Sequence, residues 1–253
     1  MIKYWIAAVV MLGSYTSAMA DEVAGHLDWL NRVELGTPIS GRISRVAVAP
    51  GDRVKAGAVL VALDDRRYAA QWVASKAALE AARQDKLEAD KELERTLDLF
   101  DRTVLSEHDR NLAEIAAAQA TADWRQAQAD LAAAQSDLDD CRVKAPFSGI
   151  VVKVAAISGM TTINQLQLQP LVVLADDSAF LAHGRVSAGQ AAILTAGRAL
   201  EVAANDTQYV GKVQHVGLEP ASRSGEVWYM LTVQVERSGT SNLRAGEPVV
   251  IRF

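Results

Sequence analysis

From Asp64 to Cys141 the chain runs without a proline or a glycine, through "DDRRYAAQWVASKAALEAARQDKLEADKELERTLDLFDRTVLSEHDRNLAEIAAAQATADWRQAQADLAAAQSDLDDC". Most of these residues are strong helix formers, and so long a stretch without a breaker suits long helices rather than a compact globule. In its second half Ala113, Ala117, Ala120, Trp124, Ala127, Leu131, Ala134 and Leu138 recur at alternating spacings of four and three. That is a coiled-coil seam, narrowed by alanine so that a partner helix can come close. The first half offers Trp72, Ser75, Leu79, Ala82, Lys86, Ala89, Leu93, Thr96 and Phe100 at the same spacings, interrupted by Lys86. Two such seams around a polar segment at 102–109 predict an antiparallel α-helical hairpin over 65–141, each arm on the order of 50 Å long. One continuous helix pairing with a second chain is the alternative, but it leaves the flanking segments far apart.

Those flanks echo each other. "SGRISRVAVAPGDRVKAG" at 40–57 aligns without a gap on "SGIVVKVAAISGM" at 148–160, an offset of 108. Ser40 and Gly41 fall on Ser148 and Gly149, Ile43 on Val151, Arg45 on Lys153, Val46 on Val154, Ala47 on Ala155 and Gly51 on Gly159. Both stretches are rich in Val, Ile and Ala, as short strands require, and Gly41, Gly51, Gly149 and Gly159 are read as their turn residues. Neither half is long enough to bury a sheet by itself. An antiparallel hairpin returns the chain to its starting point, so 36–64 and 142–175 are expected to close one small β-sandwich around a shared core. Residues 21–35 form a short N-terminal segment. The apolar-alternating runs of 176–253, separated by Gly, Asn, Pro and Ser, predict a small β-barrel, making the fold mainly β apart from the hairpin.

"MIKYWIAAVVMLGSYTSAMA" has the layout of a secretory signal peptide, with cleavage expected after Ala20; an uncleaved membrane anchor is the alternative. The chain carries 26 Lys and Arg against 31 Asp and Glu, so bulk attraction to nucleic acid is not expected. Cys141 is the single cysteine, which excludes an intrachain disulfide and reads most simply as a small buried side chain.

This order of elements resembles the periplasmic adaptor subunits of tripartite efflux and secretion pumps, the membrane fusion protein family. The resemblance rests on "SGRISRVAVAPGDRVKAGAVLVALDD", the helical hairpin, "VKAPFSGIVV" and a barrel ending "LRAGEPVVIRF". It implies a split lipoyl-like (biotinyl-lipoyl-like) domain and self-association into a ring, a hexamer or a trimer of dimers. Its implied partners are an inner-membrane transporter and a TolC-like outer-membrane channel, serving export of small molecules such as drugs or toxic compounds from the periplasm. Family members that dock on such channels carry Arg, then Leu four residues on, then Ser seven residues further, and "RTLDLFDRTVLS" sets Arg95, Leu99 and Ser106 at those spacings. Arg supplies a fork of donors, Leu an apolar knob and Ser a small polar group at the turn; Ser106 is equally the N-cap of the second helix. Proton-driven pumps of the RND class fit the tip better than ATP-driven ones by analogy. The membrane-proximal domain of fuller members is expected to be missing or minimal.

Three rival readings fit the chain less well. A true lipoyl or biotinyl carrier presents a modifiable Lys between its halves, where this chain places the helices and "LDDRRYAAQ", so no cofactor is expected. A periplasmic enzyme has little support: His26, His108, His183 and His215 show no metal-ligand spacing, and the pairs Asp64-Asp65, Asp139-Asp140 and Asp176-Asp177 fall at element boundaries as turns and caps. No metal site is expected. A structural coiled-coil envelope scaffold explains the hairpin but not the paired half-motifs.

Overall fold

The computed structural model describes residues 21–163, 170–205, 207–223, 226–237 and 243–253. The expected leader, with its expected cleavage after Ala20, lies outside them. In chain order the elements are β1 (Glu22–Leu35), β2 (Gly41–Val46), β3 (Arg53–Val54), β4 (Val59–Leu63), α1 (Arg66–Asp101), α2 (Glu107–Asp140), β5 (Arg142–Lys144), β6 (Gly149–Val154), β7 (Thr161–Thr162), β8 (Val172–Val186), α3 (Ala188–Ile193), β9 (Ala199–Ala204), β10 (Thr207–Val216), β11 (Ala221–Arg223), β12 (Glu226–Glu236) and β13 (Pro248–Arg252). They divide into two compact units, one of Asn31–Asp177 and one of Ser178–Phe253 with the described residues before Asn31.

In the unit of Asn31–Asp177 the sequence echo becomes a structural repeat. β2 and β6 each hold six residues, offset by the same 108 positions, and so do the two-residue strands β3 and β7. Besides the pairings within each half, β2 with β4 and β6 with β8, strands also pair across the halves. Gly41 and Arg42 of β2 lie opposite Thr162 and Thr161 of β7, while Gly149 and Ile150 of β6 lie opposite Val54 and Arg53 of β3. The core is shared as well, with Ile43, Leu60, Val61 and Leu63 from the first half packed on Val143, Val151, Leu171, Val172 and Leu174 from the second. Backbone donors and acceptors left over by one half are thus satisfied by the other, which is why neither half makes a sheet alone.

The four glycines read as turn residues separate into two kinds. Gly51 (φ 96°) and Gly159 (φ 90°) occupy turns that an L side chain enters only with strain. Gly41 and Gly149 are instead the first residues of β2 and β6, which corrects the turn reading. At Gly149 the reason for glycine is close approach, since a Cβ would lie 2.1 Å from the Ala175 carbonyl oxygen.

The other unit is a closed barrel of six strands in the order β12, β10, β9, β13, β1, β8, returning to β12, with β11 attached outside the ring on β12. Leu27, Phe180, Val202, Val213, Leu231, Val233 and Ile251 fill it, and Trp29 stacks against Phe180 at 5.3 Å between ring centroids. Residues 22–26 close it by pairing with Pro248–Arg252. The segment before Asn31 thereby serves as a barrel strand, and its alternation Val23, Gly25, Leu27, Trp29 against polar or small neighbours was the available signal.

Candidate functional site: the tip of the helix pair

Helices α1 and α2 hold 36 and 34 residues, about 54 Å and 51 Å at the standard rise. They run side by side in opposite directions. At the base the Leu63 amide donates to the Cys141 carbonyl at 2.8 Å and Arg142 pairs with Asp65 at 3.3 Å. Farther out Lys86 sits over the Trp124 ring at 6.0 Å; fourteen residues on along α1 and fourteen back along α2, Arg110 covers Phe100 at 4.9 Å. Every residue of the two predicted seams is buried or half-buried, whereas most of the others are exposed. Lys86, read as an interruption, occupies its seam position after all. Its ammonium faces the Trp124 ring and pairs with Asp90 at 2.5 Å, so a long cation satisfies an inward position with its charge paired.

At the base, Asp64 accepts from the Arg66 amide and guanidinium, and those bonds hold its carboxyl well below the usual carboxylate range. Asp140, at the C-terminal end of α2, is pushed up by burial and by its neighbours Asp137 and Asp139, and its carbonyl accepts from the Thr37 hydroxyl at 2.9 Å. Asp177 pairs with Arg53 at 3.0 Å.

At the tip, α1 ends where the amides of Arg102, Thr103 and Val104 turn back onto the carbonyls of Asp98, Phe100 and Leu99, with Thr103 in the left-handed region at φ 61°. Ser106 then caps α2. Its hydroxyl oxygen accepts from the Asp109 amide at 3.2 Å, and the Asp109 carboxylate accepts from the Ser106 amide at 3.1 Å, a reciprocal capping box. The hydrogen bonds from Ser106 also hold the Asp109 carboxyl below its ordinary value.

The three residues matched to the docking spacing therefore stand as follows. Arg95 and Leu99 are one turn apart on α1 and share a face. Arg95 is exposed and ion-paired with Glu92, and Leu99 is half-buried. Ser106 lies beyond the turn with its hydroxyl committed to the cap. Among the described residues no hydrogen bond or ion pair joins the three to one another. Around them Val104, Leu112 and Ile115 are exposed by 65%, 51% and 65%, which leaves apolar surface near the tip. Arg110, not singled out from sequence, pins the two helices here by covering Phe100 of α1, and ion pairs within α2 to Glu107 at 3.7 Å and Glu114 at 3.6 Å hold it there; an arginine four residues past a cap carries little pattern of its own.

Elsewhere, among the described residues no three His, Cys, Asp or Glu side chains are grouped to hold a metal ion. No described helix is long and apolar enough to cross a membrane. Cys141 is fully buried, and burial, followed by the Asp65 charge, pushes its thiol up to about 11.

Residues 31–174 match the family model described as the RND membrane fusion protein barrel-sandwich hybrid domain. The macrolide export protein MacA of Shigella flexneri is 28% identical over 228 residues, covering 83% of this chain; the chain spans 62% of that relative's length. In Yersinia pestis the protein of the same name is 29% identical over 177 residues, covering 64% of this chain and 48% of that relative. Two solved structures share the fold. A MacA-MexA chimera containing the Pseudomonas aeruginosa MexA α-hairpin superposes with a TM-score of 0.70 at 22% identity, over 92% of this chain and 80% of the chimera. The membrane fusion protein Spr0693 of Streptococcus pneumoniae superposes with a TM-score of 0.71 at 20% identity, over 91% and 97%. Reciprocally bonded half-motifs enclosing a long helix pair, a closed barrel beside them in the chain, and a family match running from β1 into β8 lead to one assignment: the chain belongs to the membrane fusion protein family of efflux-pump adaptors.

Proposed function

We propose that the protein is a periplasmic adaptor linking an inner-membrane transporter to a TolC-like outer-membrane channel for export of small molecules, and that it enters the periplasm through a leader cleaved after Ala20. Residues 36–64 and 142–175 act as the split lipoyl-like domain, 65–141 as an antiparallel coiled-coil hairpin and 176–253 as the barrel. Several copies assemble as a ring, a hexamer or a trimer of dimers. The macrolide export named for its relatives makes macrolides the first compounds to try.

The observation that carries this reading is the helix pair held at its base by two interlocked half-motifs and ending in an exposed tip. Arg95 and Leu99 occupy one face near that tip, and Val104 adds apolar surface that a channel entrance can cover. In this reading Arg95 exchanges Glu92 for an acceptor on the channel, Leu99 supplies the knob, and Ser106 shapes the turn. A contact of one or two kcal/mol per chain becomes firm when ring symmetry repeats it.

Crosslinking in intact cells, followed by affinity isolation and mass spectrometry, tests the proposal with native protein and Arg95→Asp. Co-purification of an inner-membrane transporter and an outer-membrane channel supports the adaptor role, and loss of the channel alone from the variant supports the tip assignment. Absence of both partners overturns the role. A variant that keeps its channel overturns the tip.

A further inference from the structure

Three of the chain's four histidines come together on the barrel unit. His183 of β8 lies directly opposite Thr232 of β12, and Thr232 in turn lies directly opposite His215 of β10. Strand β1 runs on the other side of β8, and its His26 ring stands 5.6 Å from the His183 ring. The row His26, His183, Thr232, His215 thus crosses four adjacent strands. Residues directly opposite in a sheet point to the same face, and Leu231 and Val233, either side of Thr232, fill the core. The row therefore stands on the outer face, although Thr232 is only 1% exposed. Gly25 lets β1 pass close over β8, where a Cβ would lie 2.3 Å from the His183 carbonyl oxygen, so β1 has no slack there.

We propose that His183, ranked with His26 and His215 around the buried Thr232, makes this row a proton-responsive seam: charging of His183 in mildly acid medium loosens β1 against β8 and opens this side of the barrel. The charged groups facing it are few. On β1, Glu22 is held by Arg252 at 2.8 Å, which leaves Asp28 as the nearer carboxylate. On β8, Arg185 is stacked on Trp228 at 4.8 Å and adds positive charge. β12 brings Met230 and α3 brings Gln190 to the groove of about 600 Å³ that His26 and His183 border. Thr232 and the His183 Nδ1 share a hydrogen bond of 3.2 Å. A hydroxyl both donates and accepts, so this bond leaves the charge state open. Burial, and then His26 and His215, hold the His183 imidazole below its ordinary 6.5 against the opposing pull of Asp28.

The direction of the response follows. With His183 depressed in the folded barrel, its contribution to stability is complete above 6.5 and is lost as the medium acidifies from 6.5 toward the lowered folded value, because the opened state takes the proton first. β1 and β8 are the strands that bring His26 and His183 together, so opening there relieves the repulsion.

Hydrogen exchange on the full chain at about pH 7.5 and about pH 5.5, corrected for the intrinsic rate, tests this beside His183→Gln and His26→Gln. The expected result is a selective rise in opening of β1 residues 23–27 and β8 residues 181–185 at the lower pH, by up to about tenfold, the ceiling set by an opened-state imidazole held one pH unit below its ordinary 6.5. It should be abolished in His183→Gln and reduced in His26→Gln, with α1 and α2 unchanged throughout. A uniform response, or one that persists in His183→Gln, overturns the proposal. If His183→Gln does not fold, an undiminished response in His26→Gln, whose ring is exposed, overturns it as well. The proposal does not depend on the adaptor reading.

Discussion

The Gly51 amide donates to the Val151 carbonyl at 2.8 Å, and the chain repeats this bond with its halves exchanged, the Gly159 amide donating to the Ile43 carbonyl at the same 2.8 Å. The neighbouring bonds swap likewise, Val151 to Asp52 and Ile43 to Met160. The helix pair is therefore inserted into a domain that exists only when both of its halves are present, and any displacement of the helix bases is felt by both.

Because of that interlock, a break at the tip should be tolerated. Cleavage between Thr103 and Val104, an exposed turn, should leave two fragments that remain bound on size exclusion and keep native circular dichroism. Either fragment expressed alone should fail to fold, since it holds only half of a shared core.

The glycines should rank by what each one does. Gly51→Ala and Gly159→Ala, both at φ near +90°, should each cost about 1–2 kcal/mol in urea denaturation. Gly149→Ala should cost more, because its Cβ meets backbone at 2.1 Å. Gly189→Ala, within α3 and with nothing nearby, should be neutral or stabilising.

Thr162 tests the repeat itself. Its hydroxyl is buried without a hydrogen-bond partner, and the position 108 residues earlier is Val54. Thr162→Val should stabilise the protein by about 1 kcal/mol, read as a higher urea midpoint, because it removes an unpaired polar group and keeps the shape.

Ser106→Ala should lower stability by about 1 kcal/mol through loss of the cap, and Ser106→Thr should restore most of it. The acid response has a definite sign. Asp109 is depressed in the folded helix, so its contribution is present above its ordinary 3.8 and disappears as pH falls through its lowered value. Helical circular dichroism recorded down that range should show the native chain losing this increment and Ser106→Ala lacking it.

Cys141 should not react with an aromatic disulfide reagent in the native protein and should react fully in denaturant, since it is 0% exposed. Its thiol stays protonated in the fold up to about 11, against 9.0 when free, so this contribution is complete below 9.0 and is lost between there and about 11. Cys141→Ala should remove that alkaline component from a plot of the unfolding midpoint against pH.

Much of the local architecture was legible along the chain. The breaker-free run set α1 and α2 to within about two residues of each end, and the Ser106 capping box follows from a Ser followed three residues later by an Asp. The 108-residue echo located β2 and β6. Less was legible at the tip, where the spacing selected Arg95, Leu99 and Ser106 but gave no sign of Arg110 on Phe100, because a cation lying over a ring across two helices leaves no periodic trace.

What the sequence determined by itself is what neighbouring residues decide: helix extents, the inward stripe of each helix, the caps, and the presence of two equivalent halves. Only the tertiary structure decided that β2 pairs with β7 and β6 with β3, that residues 22–26 close the barrel against β13, that Gly149 is needed for close approach rather than a turn, and that three distant histidines stand in one row. Each of these depends on register between strands far apart in the chain. Register is set by which backbone donors and apolar faces remain unsatisfied after local structure has formed, a property of the whole assembly that no single window contains.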